Sequence, residues 1–200
     1  MDEIIKNLKT ERIFNEIHIP KRPNVKHGAF QIYTGEGKGK STASLGLMLR
    51  ALGSGLHVYY VRMLKPRWKT GELKLCPENF HPNLTFRNVP HYWALCVSKK
   101  VPMDVEMMKE KMKPEMDDLH QKVKSAEYDL IIADEINYCI FRDLIPLNKA
   151  IEVVDDRPKN VELIFGKSED ILLDAIEKVL DYKNICIYLD AHLCHDHIKN

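Results

Sequence analysis

The sequence predicts an α/β protein in which helices cover both faces of a mostly parallel β-sheet. Short apolar runs alternate along the chain with stretches whose apolar residues recur at helical spacing. Several of these runs are apolar on both faces, which is typical of parallel strands buried between helices. The chain has 200 residues, which is enough for one domain with a well-buried core and too few for two domains of typical size.

Six apolar, β-prone runs are predicted to be strands, at residues 29–33, 57–64, 84–89, 128–135, 161–165 and 184–189. The helix after the first strand is predicted from Leu45, Met48, Leu49 and Leu52, and it ends at Gly53 and Gly55. Ser168 is predicted to cap a helix near the end of the chain, because two acidic residues follow it in the first turn. Strands and helices therefore alternate as the fold class requires.

The clearest helical pattern covers residues 103–126. One apolar stripe is formed by Val105, Met108, Met112, Met116, Leu119 and Val123. Pro114 lies inside the pattern and predicts a kink or a break at that point. The methionines of this segment are interpreted as ordinary core, although such adaptable side chains could also line a large flat cofactor.

Composition excludes several classes of protein. The 30 Lys and Arg residues nearly balance the 29 Asp and Glu residues, so no electrostatic reason favours nucleic acid or an anionic membrane as a partner. No apolar run approaches the length of a membrane span, and the first residues do not resemble a signal peptide. Five cysteines without paired spacing predict reduced thiols in the cytoplasm.

Domain organisation follows from the polar N-terminal stretch. Residues 1–27 contain Pro20 and Pro23 and are predicted to form an arm or helix followed by a linker. Residues 28–200 are predicted to form a single α/β domain. Ligands of such domains bind at the carboxyl ends of the strands, which directs attention to the residues that follow each strand.

A stretch of small residues, TGEGKGKSTAS at positions 34–44, follows the first predicted strand and opens the first predicted helix. This is the context of a phosphate-binding loop, or P-loop. Because glycine has no Cβ atom, Gly35, Gly37 and Gly39 allow backbone N–H groups to converge on phosphate oxygens. The beginning of the helix adds the positive end of its dipole.

Two side chains in this loop carry complementary chemistry. The ammonium group of Lys40 can neutralise a terminal phosphate, and the hydroxyl group of Ser41 can bind Mg²⁺. Thr34 stands where the usual pattern G-x-x-x-x-G-K-[ST] has glycine, so a glycine-rich turn with solvated lysines is the alternative interpretation.

The apolar run LIIADE delivers Asp134 and Glu135 at its carboxyl end. A buried strand that ends in acids beside a phosphate loop resembles a Walker-B element, in which one carboxylate holds Mg²⁺ directly or through water. A strand-end turn with exposed acids is the alternative. Together the two motifs predict a P-loop NTPase-like (RecA-like) variant of the α/β fold.

Four segments of the chain resemble the ATP:corrinoid adenosyltransferases, the cob(I)yrinic acid a,c-diamide adenosyltransferase family. The phosphate loop of that family reads T-G-x-G-K-G-K-[ST]-T and is followed by R-A-x-G-x-G, which is similar to residues 33–58 here. RMLKPRWKTGEL (62–73), DLIIADEINYCI (129–140) and DDRPKNVELIF (155–165) also resemble family segments. Thr34 is therefore a family feature.

The resemblance implies that a Co(I) corrinoid attacks the 5′ carbon of ATP and that the whole triphosphate leaves. Carried over by position, the triphosphate would be held by Lys38, Lys40 and the backbone of Gly35, Glu36, Gly37 and Gly39, and Thr34 would belong to the same binding site. Lys40 and Glu135 would be catalytic. Ser41, Glu135 and Asp134 would hold Mg²⁺ or Mn²⁺, and Thr42 and Arg50 would lie near the nucleotide. The resemblance also implies a homodimer and an external flavoprotein reductase that supplies Co(I).

The chain departs from the family pattern on the substrate side. The family has G-x-G-F-x-W where this chain has VPHYWALCV, so Tyr92 and Trp93 are either its corrinoid-facing aromatics or core residues. Arg62 stands where the family has glutamine, and Lys167 lies near the family's T-G-R arginine. These departures leave open a P-loop ATPase or kinase, or a binding module without catalysis.

The remaining candidate ligands are less specific. The tail residues His192, Cys194, His195 and His197 include metal-ligand types, but their spacing matches no structural zinc site. His81 and His91 are interpreted as structural residues rather than as cobalt ligands.

Overall fold

The computed structural model of the chain describes residues 20–35, 39–64, 71–72, 81–89, 104–166 and 185–188, the last of these as backbone alone. The predictions for residues 1–19, for the helix capped by Ser168 and for the His/Cys tail lie outside the described residues. None of the described helices has the length and apolar character needed to cross a membrane.

Six strands form one sheet in the order β3-β2-β4-β5-β1-β6, and every neighbouring pair is parallel. The strands are β1 (Phe30–Tyr33), β2 (Val58–Arg62), β3 (Leu84–Asn88), β4 (Leu130–Asp134), β5 (Glu162–Gly166) and β6 (Ile185–Tyr188). All six predicted strands are confirmed. Strand β5 lies between β1 and β4, so the two strands that carry the candidate motifs are near each other but not adjacent.

The described helices are α1 (Lys40–Gly53), α2 (Val105–Ser125), α3 (Ile136–Phe141) and α4 (Leu147–Asp155). Two separate apolar clusters cover the sheet, one that includes α1 and one that includes α2, α3 and α4. The predicted arrangement, with helices on both faces of a parallel sheet, is confirmed.

Helix α1 packs on the first face of the sheet through Met48, Ala51 and Leu52, in one cluster with Tyr60 and Ile132. The predicted helix is confirmed, but Leu49, one of the residues whose spacing predicts it, is 54% exposed. Each residue turns about 100° around a helix axis, so the arc that buries residues 44, 48, 51 and 52 leaves position 49 towards solvent.

Helix α2 covers the second face and buries Met108, Met112, Met116, Leu119 and Val123 as predicted. The core interpretation is thus confirmed for these three methionines, whereas Met107 is exposed and Met103 lies outside the described residues. The helix continues through Pro114, so the break that the sequence allowed at this residue does not occur. Pro114 lies on the exposed side, where water can replace the hydrogen bond that proline cannot donate.

Helices α3 and α4 were not predicted from the sequence. Helix α3 has only six residues and follows Glu135, whose φ of 71° is left-handed. Helix α4 follows Pro146, which is extended and has no side-chain capping hydrogen bond. Neither start has the Ser, Thr, Asp or Asn side chain that usually marks a helix N-terminus, although proline at such a position is itself a usable signal.

The linker that precedes β1 is attached to the amino end of the sheet. The guanidinium group of Arg22 donates to both carboxylate oxygens of Asp129, at 2.9 and 3.0 Å, and Asp129 also accepts the backbone N–H of His57 at 2.9 Å. Gly28 donates its N–H to the carbonyl of Lys159 at 2.7 Å. The predicted boundary at residue 27 therefore falls within a segment that contacts the sheet.

We expect Gly28→Ala to destabilise the protein. A Cβ atom at this position would lie 2.4 Å from the carbonyl carbon of Val161, and that backbone leads directly into β5 and cannot move freely. The cost should be about 2–3 kcal/mol in the free energy of unfolding, measured by urea denaturation.

Gly46→Ala is the matched control for this measurement. Gly46 lies inside α1, and a Cβ atom there would meet nothing within 4 Å. Alanine should stabilise the helix by up to about 1 kcal/mol, through helix propensity alone. Equal effects of the two substitutions would contradict the packing argument.

Candidate functional site

The candidate site lies at one edge of the sheet, where the carboxyl ends of β1, β5 and β4 meet. Parallel strands all end at the same edge, so Tyr33, Gly166 and Asp134 terminate side by side. The chain that leaves β1 enters the small-residue loop and returns as α1. The fold thus brings the two predicted motifs to one place.

The described part of the loop needs glycine for its backbone conformation. Gly35 has a φ of 110° and Gly39 a φ of 116°, values that residues with a Cβ atom rarely adopt. A Cβ atom on Gly39 would meet nothing within 4 Å, so conformation rather than space requires glycine there. The side chain of Lys40 folds back over this loop, and its ammonium group donates to the carbonyl oxygen of Gly35 at 2.5 Å.

Helix α1 presents the positive end of its dipole to the loop. Its first internal hydrogen bond runs from the N–H of Ala43 to the carbonyl of Gly39 at 2.7 Å, so the preceding N–H groups are not used within the helix. No acidic residue occupies the first turn to neutralise this end. The helix start and the Lys40 ammonium together form an electropositive cradle suited to an anion.

A chain of hydrogen bonds connects the start of α1 with the end of β4. The hydroxyl of Ser41 donates to Oδ1 of Asp134 at 3.3 Å, and the hydroxyl of Tyr60 donates to Oδ2 at 3.1 Å. Ser44 lies between them, 3.0 Å from the Tyr60 hydroxyl and 3.0 Å from the carbonyl of Ser41. Both oxygens of a carboxylate that is 1% exposed are therefore oriented by neighbours.

Burial and charge keep Tyr60 a donor. Desolvation, and next the negative charge of Asp134, raise the pKa of Tyr60 well above its usual value. The tyrosine hydroxyl consequently retains its proton at neutral pH and donates to the carboxylate. Tyr60 and Ser44 were not identified from the sequence, because nothing in a strand or helix pattern shows that their hydroxyl groups meet.

Gly166, at the end of β5, was also not identified. A Cβ atom on Gly166 would lie 3.1 Å from Oδ1 of Asp134 and 3.5 Å from its Cα atom. Glycine at this position keeps the approach to the carboxylate open between β1 and β4. The only sequence signal is a glycine directly after an apolar strand.

The predicted site residues are only partly assembled in the described chain. Thr34 is buried at the start of the loop and Thr42 is exposed in the first turn of α1. Arg50 lies in the last turn, about 15 Å along the helix axis from Lys40, so the structure does not bring it to the loop. Glu36, Gly37, Lys38, Tyr92 and Trp93 lie outside the described residues.

The oxygen atoms around Ser41 fit a magnesium ion. Mg²⁺ prefers hard oxygen ligands and usually takes one or two carboxylates together with water and phosphate. Ser41 and Asp134 place a hydroxyl and a carboxylate 3.3 Å apart beside the loop. Within the described residues, no group of three or more His, Cys, Asp or Glu side chains forms a self-sufficient metal site.

Glu135 follows Asp134 and turns the chain into α3. It has a φ of 71° and is 6% exposed. After burial itself, the charge of Glu135 is the next cause of the raised pKa of the Cys139 thiol. The structure brings Asp134 to Ser41, and a role for Glu135 at the metal stays a prediction.

Comparison with known proteins identifies the family. Residues 26–191 match the family ATP:corrinoid adenosyltransferase BtuR/CobO/CobP. The chain belongs to this family. The match includes the phosphate loop, the Asp134–Glu135 strand end and every described strand, so the resemblance inferred from the motifs is confirmed and the protein is a member of a transferase family.

Individual relatives agree with this assignment. The corrinoid adenosyltransferase of Escherichia coli (strain K12) is 27% identical over 150 residues, which cover 72% of this chain and 71% of the relative. The corrinoid adenosyltransferase CobA of Salmonella typhimurium (strain LT2) is 28% identical over 176 residues, which cover 82% of this chain and 81% of the relative.

One solved structure also overlaps with this chain. The flagellar accessory protein FlaH from Methanocaldococcus jannaschii covers 76% of this chain and 68% of its own, at 18% identity and a TM-score of 0.41. An overlap of that size carries no inference about function.

We expect Lys40→Ala to weaken ATP binding at least about tenfold, because the phosphate loop loses its charge-assisted donor. Isothermal titration calorimetry with Mg-ATP measures the effect. Lys149→Ala is the control, since Lys149 is an exposed lysine that pairs with Glu152 at 2.7 Å on α4. Unchanged ATP affinity in Lys40→Ala would contradict the role of the Lys40 ammonium group in phosphate binding.

We expect Asp134→Asn to raise the Mg²⁺ concentration needed for half-maximal ATP binding about tenfold or more, because an amide replaces a charged ligand. Tyr60→Phe should shift that concentration much less, since it removes a hydrogen bond of about 1 kcal/mol and retains the carboxylate. Titration of Mg²⁺ at fixed ATP distinguishes the two. A larger effect of Tyr60→Phe would contradict metal binding by Asp134.

Proposed function

We propose that the protein transfers the 5′-deoxyadenosyl group of ATP to a Co(I) corrinoid and releases triphosphate. The observation that carries the proposal is the contact of Ser41 with Asp134, which joins a phosphate loop to an acidic strand end in a chain of this family. The same edge therefore offers cationic groups for three linked phosphates and oxygen ligands for the ion that accompanies them.

The reaction balances without a protein base. The Co(I) centre of the corrinoid substrate supplies an electron pair to C5′ of ATP, a cobalt–carbon bond forms, and the bond between C5′ and the triphosphate oxygen breaks. That oxygen leaves with the electron pair of the broken bond, so negative charge accumulates on the triphosphate. The chain's own task is to align the two substrates and to stabilise the departing anion.

The described residues match that task. The positive end of α1 and the Lys40 ammonium oppose the charge that develops on the triphosphate. Ser41 and Asp134 would hold Mg²⁺, which supplies further neutralisation when bound. Tyr60 and Gly166 act indirectly, because one orients the Asp134 carboxylate and the other leaves its approach open.

Several features of the proposal rest on position in the family pattern. Lys38 and the backbone of Glu36 and Gly37 would complete the phosphate loop, and Tyr92 and Trp93 would face the corrinoid. Lys40 and Glu135 are the proposed catalytic pair, with Glu135 as a second metal ligand. A homodimer, a flavoprotein reductase and a cytoplasmic location belong to the same proposal.

The identity of the phosphate product tests the proposal. The protein is incubated with ATP, Mg²⁺ and chemically reduced cob(I)alamin under anaerobic conditions, the visible spectrum is followed, and the phosphate product is identified by ion chromatography. We expect adenosylated corrinoid and inorganic triphosphate in equal amounts. ADP or orthophosphate as the initial product would instead indicate an ATPase or a kinase.

The same assay separates a binding protein from an enzyme. A spectral change of the corrinoid without formation of triphosphate would indicate a binding module and would contradict the proposed transfer. Lys40→Ala serves as the inactive control, because the substitution changes the phosphate loop and leaves the residues proposed to face the corrinoid unchanged.

A further inference from the structure

Arg62 is a buried arginine at the carboxyl end of β2. It is 2% exposed. In the sheet, Arg62 is the register partner of Asp134 on one side and of Asn88 on the other. It therefore ends its strand beside the carboxylate to which Ser41 donates, on the side away from β1.

Arg62 is also on the same face of the sheet as the phosphate loop. Side chains of register partners in parallel strands point to one face, and residues two apart in a strand share a face. Tyr60, two residues before Arg62, lies in the apolar cluster of α1 and contacts Asp134. Arg62 thus lies on the α1 face, at the edge where the loop opens.

The guanidinium group is incompletely paired. Its Nη2 atom lies 3.5 Å from Oε1 of Glu72. Its Nε and Nη1 atoms are buried and have no hydrogen-bond partner among the residues that the structure describes. Arginine stays charged at any pH at which proteins fold, and a buried charge is costly unless it is paired.

The neighbouring carboxylate does not complete this pairing. The oxygens of Asp134 accept hydrogen bonds from the hydroxyl groups of Ser41 and Tyr60, and neither oxygen accepts one from Nε or Nη1 of Arg62. Nε and Nη1 donate in diverging directions, so each can donate separately to an oxygen of an anion, and a permanently charged guanidinium group suits carboxylate and phosphate oxygens. Because this edge of the sheet also carries the phosphate loop, the unused donors point to a phosphate ligand.

We propose that Arg62 binds a phosphate group of the ATP triphosphate from the far side of Asp134, opposite Lys40. The proposal rests on the proposed function, since it assigns one more residue to the anion that leaves. With Lys40 on the loop side and Arg62 on the β2 side, the triphosphate would lie between two cations across the carboxyl edge of β4 and β5.

Binding of inorganic triphosphate, with Mg²⁺ and without corrinoid, tests this assignment by calorimetry. We expect Arg62→Gln, which replaces the guanidinium group with a shorter, neutral amide, to weaken binding at least about tenfold, and Arg62→Lys, which restores the charge, to recover part of the loss. Arg87→Gln is the matched control: Arg87 precedes the register partner of Arg62 on β3, but it is paired with Glu115 and Asp118 at 2.9 and 2.5 Å. The Arg87→Gln protein should bind triphosphate as tightly as the unaltered protein does.

Thermal unfolding separates a ligand-binding role from a structural one. If Arg62 binds phosphate, Arg62→Gln should leave the Tm of the ligand-free protein unchanged or raise it, while the Tm increase produced by triphosphate becomes smaller. A lower Tm with undiminished triphosphate affinity would overturn the proposal and identify Arg62 as a structural residue.

Two other outcomes would also overturn it. Arg62→Gln could leave triphosphate binding intact and raise only the KM for the reduced corrinoid, in which case the anion is a carboxylate of the acceptor. The unaltered protein could also fail to bind inorganic triphosphate at all. A different result would separate the two proposals. If triphosphate binding depends on Arg62 but the protein produces ADP from ATP, the assignment of Arg62 is supported and only the proposed adenosyl transfer is contradicted.

Discussion

The site depends on one buried carboxylate. Asp134 ends β4 in the middle of the sheet. Its carboxylate accepts one hydrogen bond from Ser41 at the start of α1 and one from Tyr60 of β2, and Gly166 of β5 lies close to it. A carboxylate that is 1% exposed would be costly without such donors. The same hydrogen bonds that make its burial tolerable therefore also hold the phosphate loop, the acidic strand and their neighbours in one geometry.

The parallel sheet makes this arrangement possible. All six strands run in one direction, so their polar ends meet at one edge, while apolar residues fill both faces below. The interior of β4 is fully buried, and its first polar side chain after Leu130–Ala133 is Asp134. A rigid apolar strand thus positions an acid to within the reach of a single hydrogen bond, as preorganised electrostatic stabilisation requires.

Charges at this edge are distributed in a way that suits a polyanion. The helix start and Lys40 contribute positive charge near β1, and Arg62 contributes it near β2, with Asp134 between them. At the opposite, amino edge of the sheet, an ion pair attaches the linker: Asp129, directly before β4, binds the guanidinium group of Arg22. Strand β4 is therefore preceded by an acid that attaches the linker and ends in the acid of the candidate site.

The sequence by itself determined the alternation of strands and helices, the loop before Lys40 and the acids after β4, because each depends on neighbours only a few residues away. It could not predict that Leu49 is exposed or that α2 passes through Pro114, since burial depends on which helix face meets the sheet. It also could not predict that Tyr60 contacts both Ser44 and Asp134, or that Arg62 is buried beside Asp134. Those contacts join residues 16 to 74 positions apart, and only the order of the strands decides which distant side chains become neighbours.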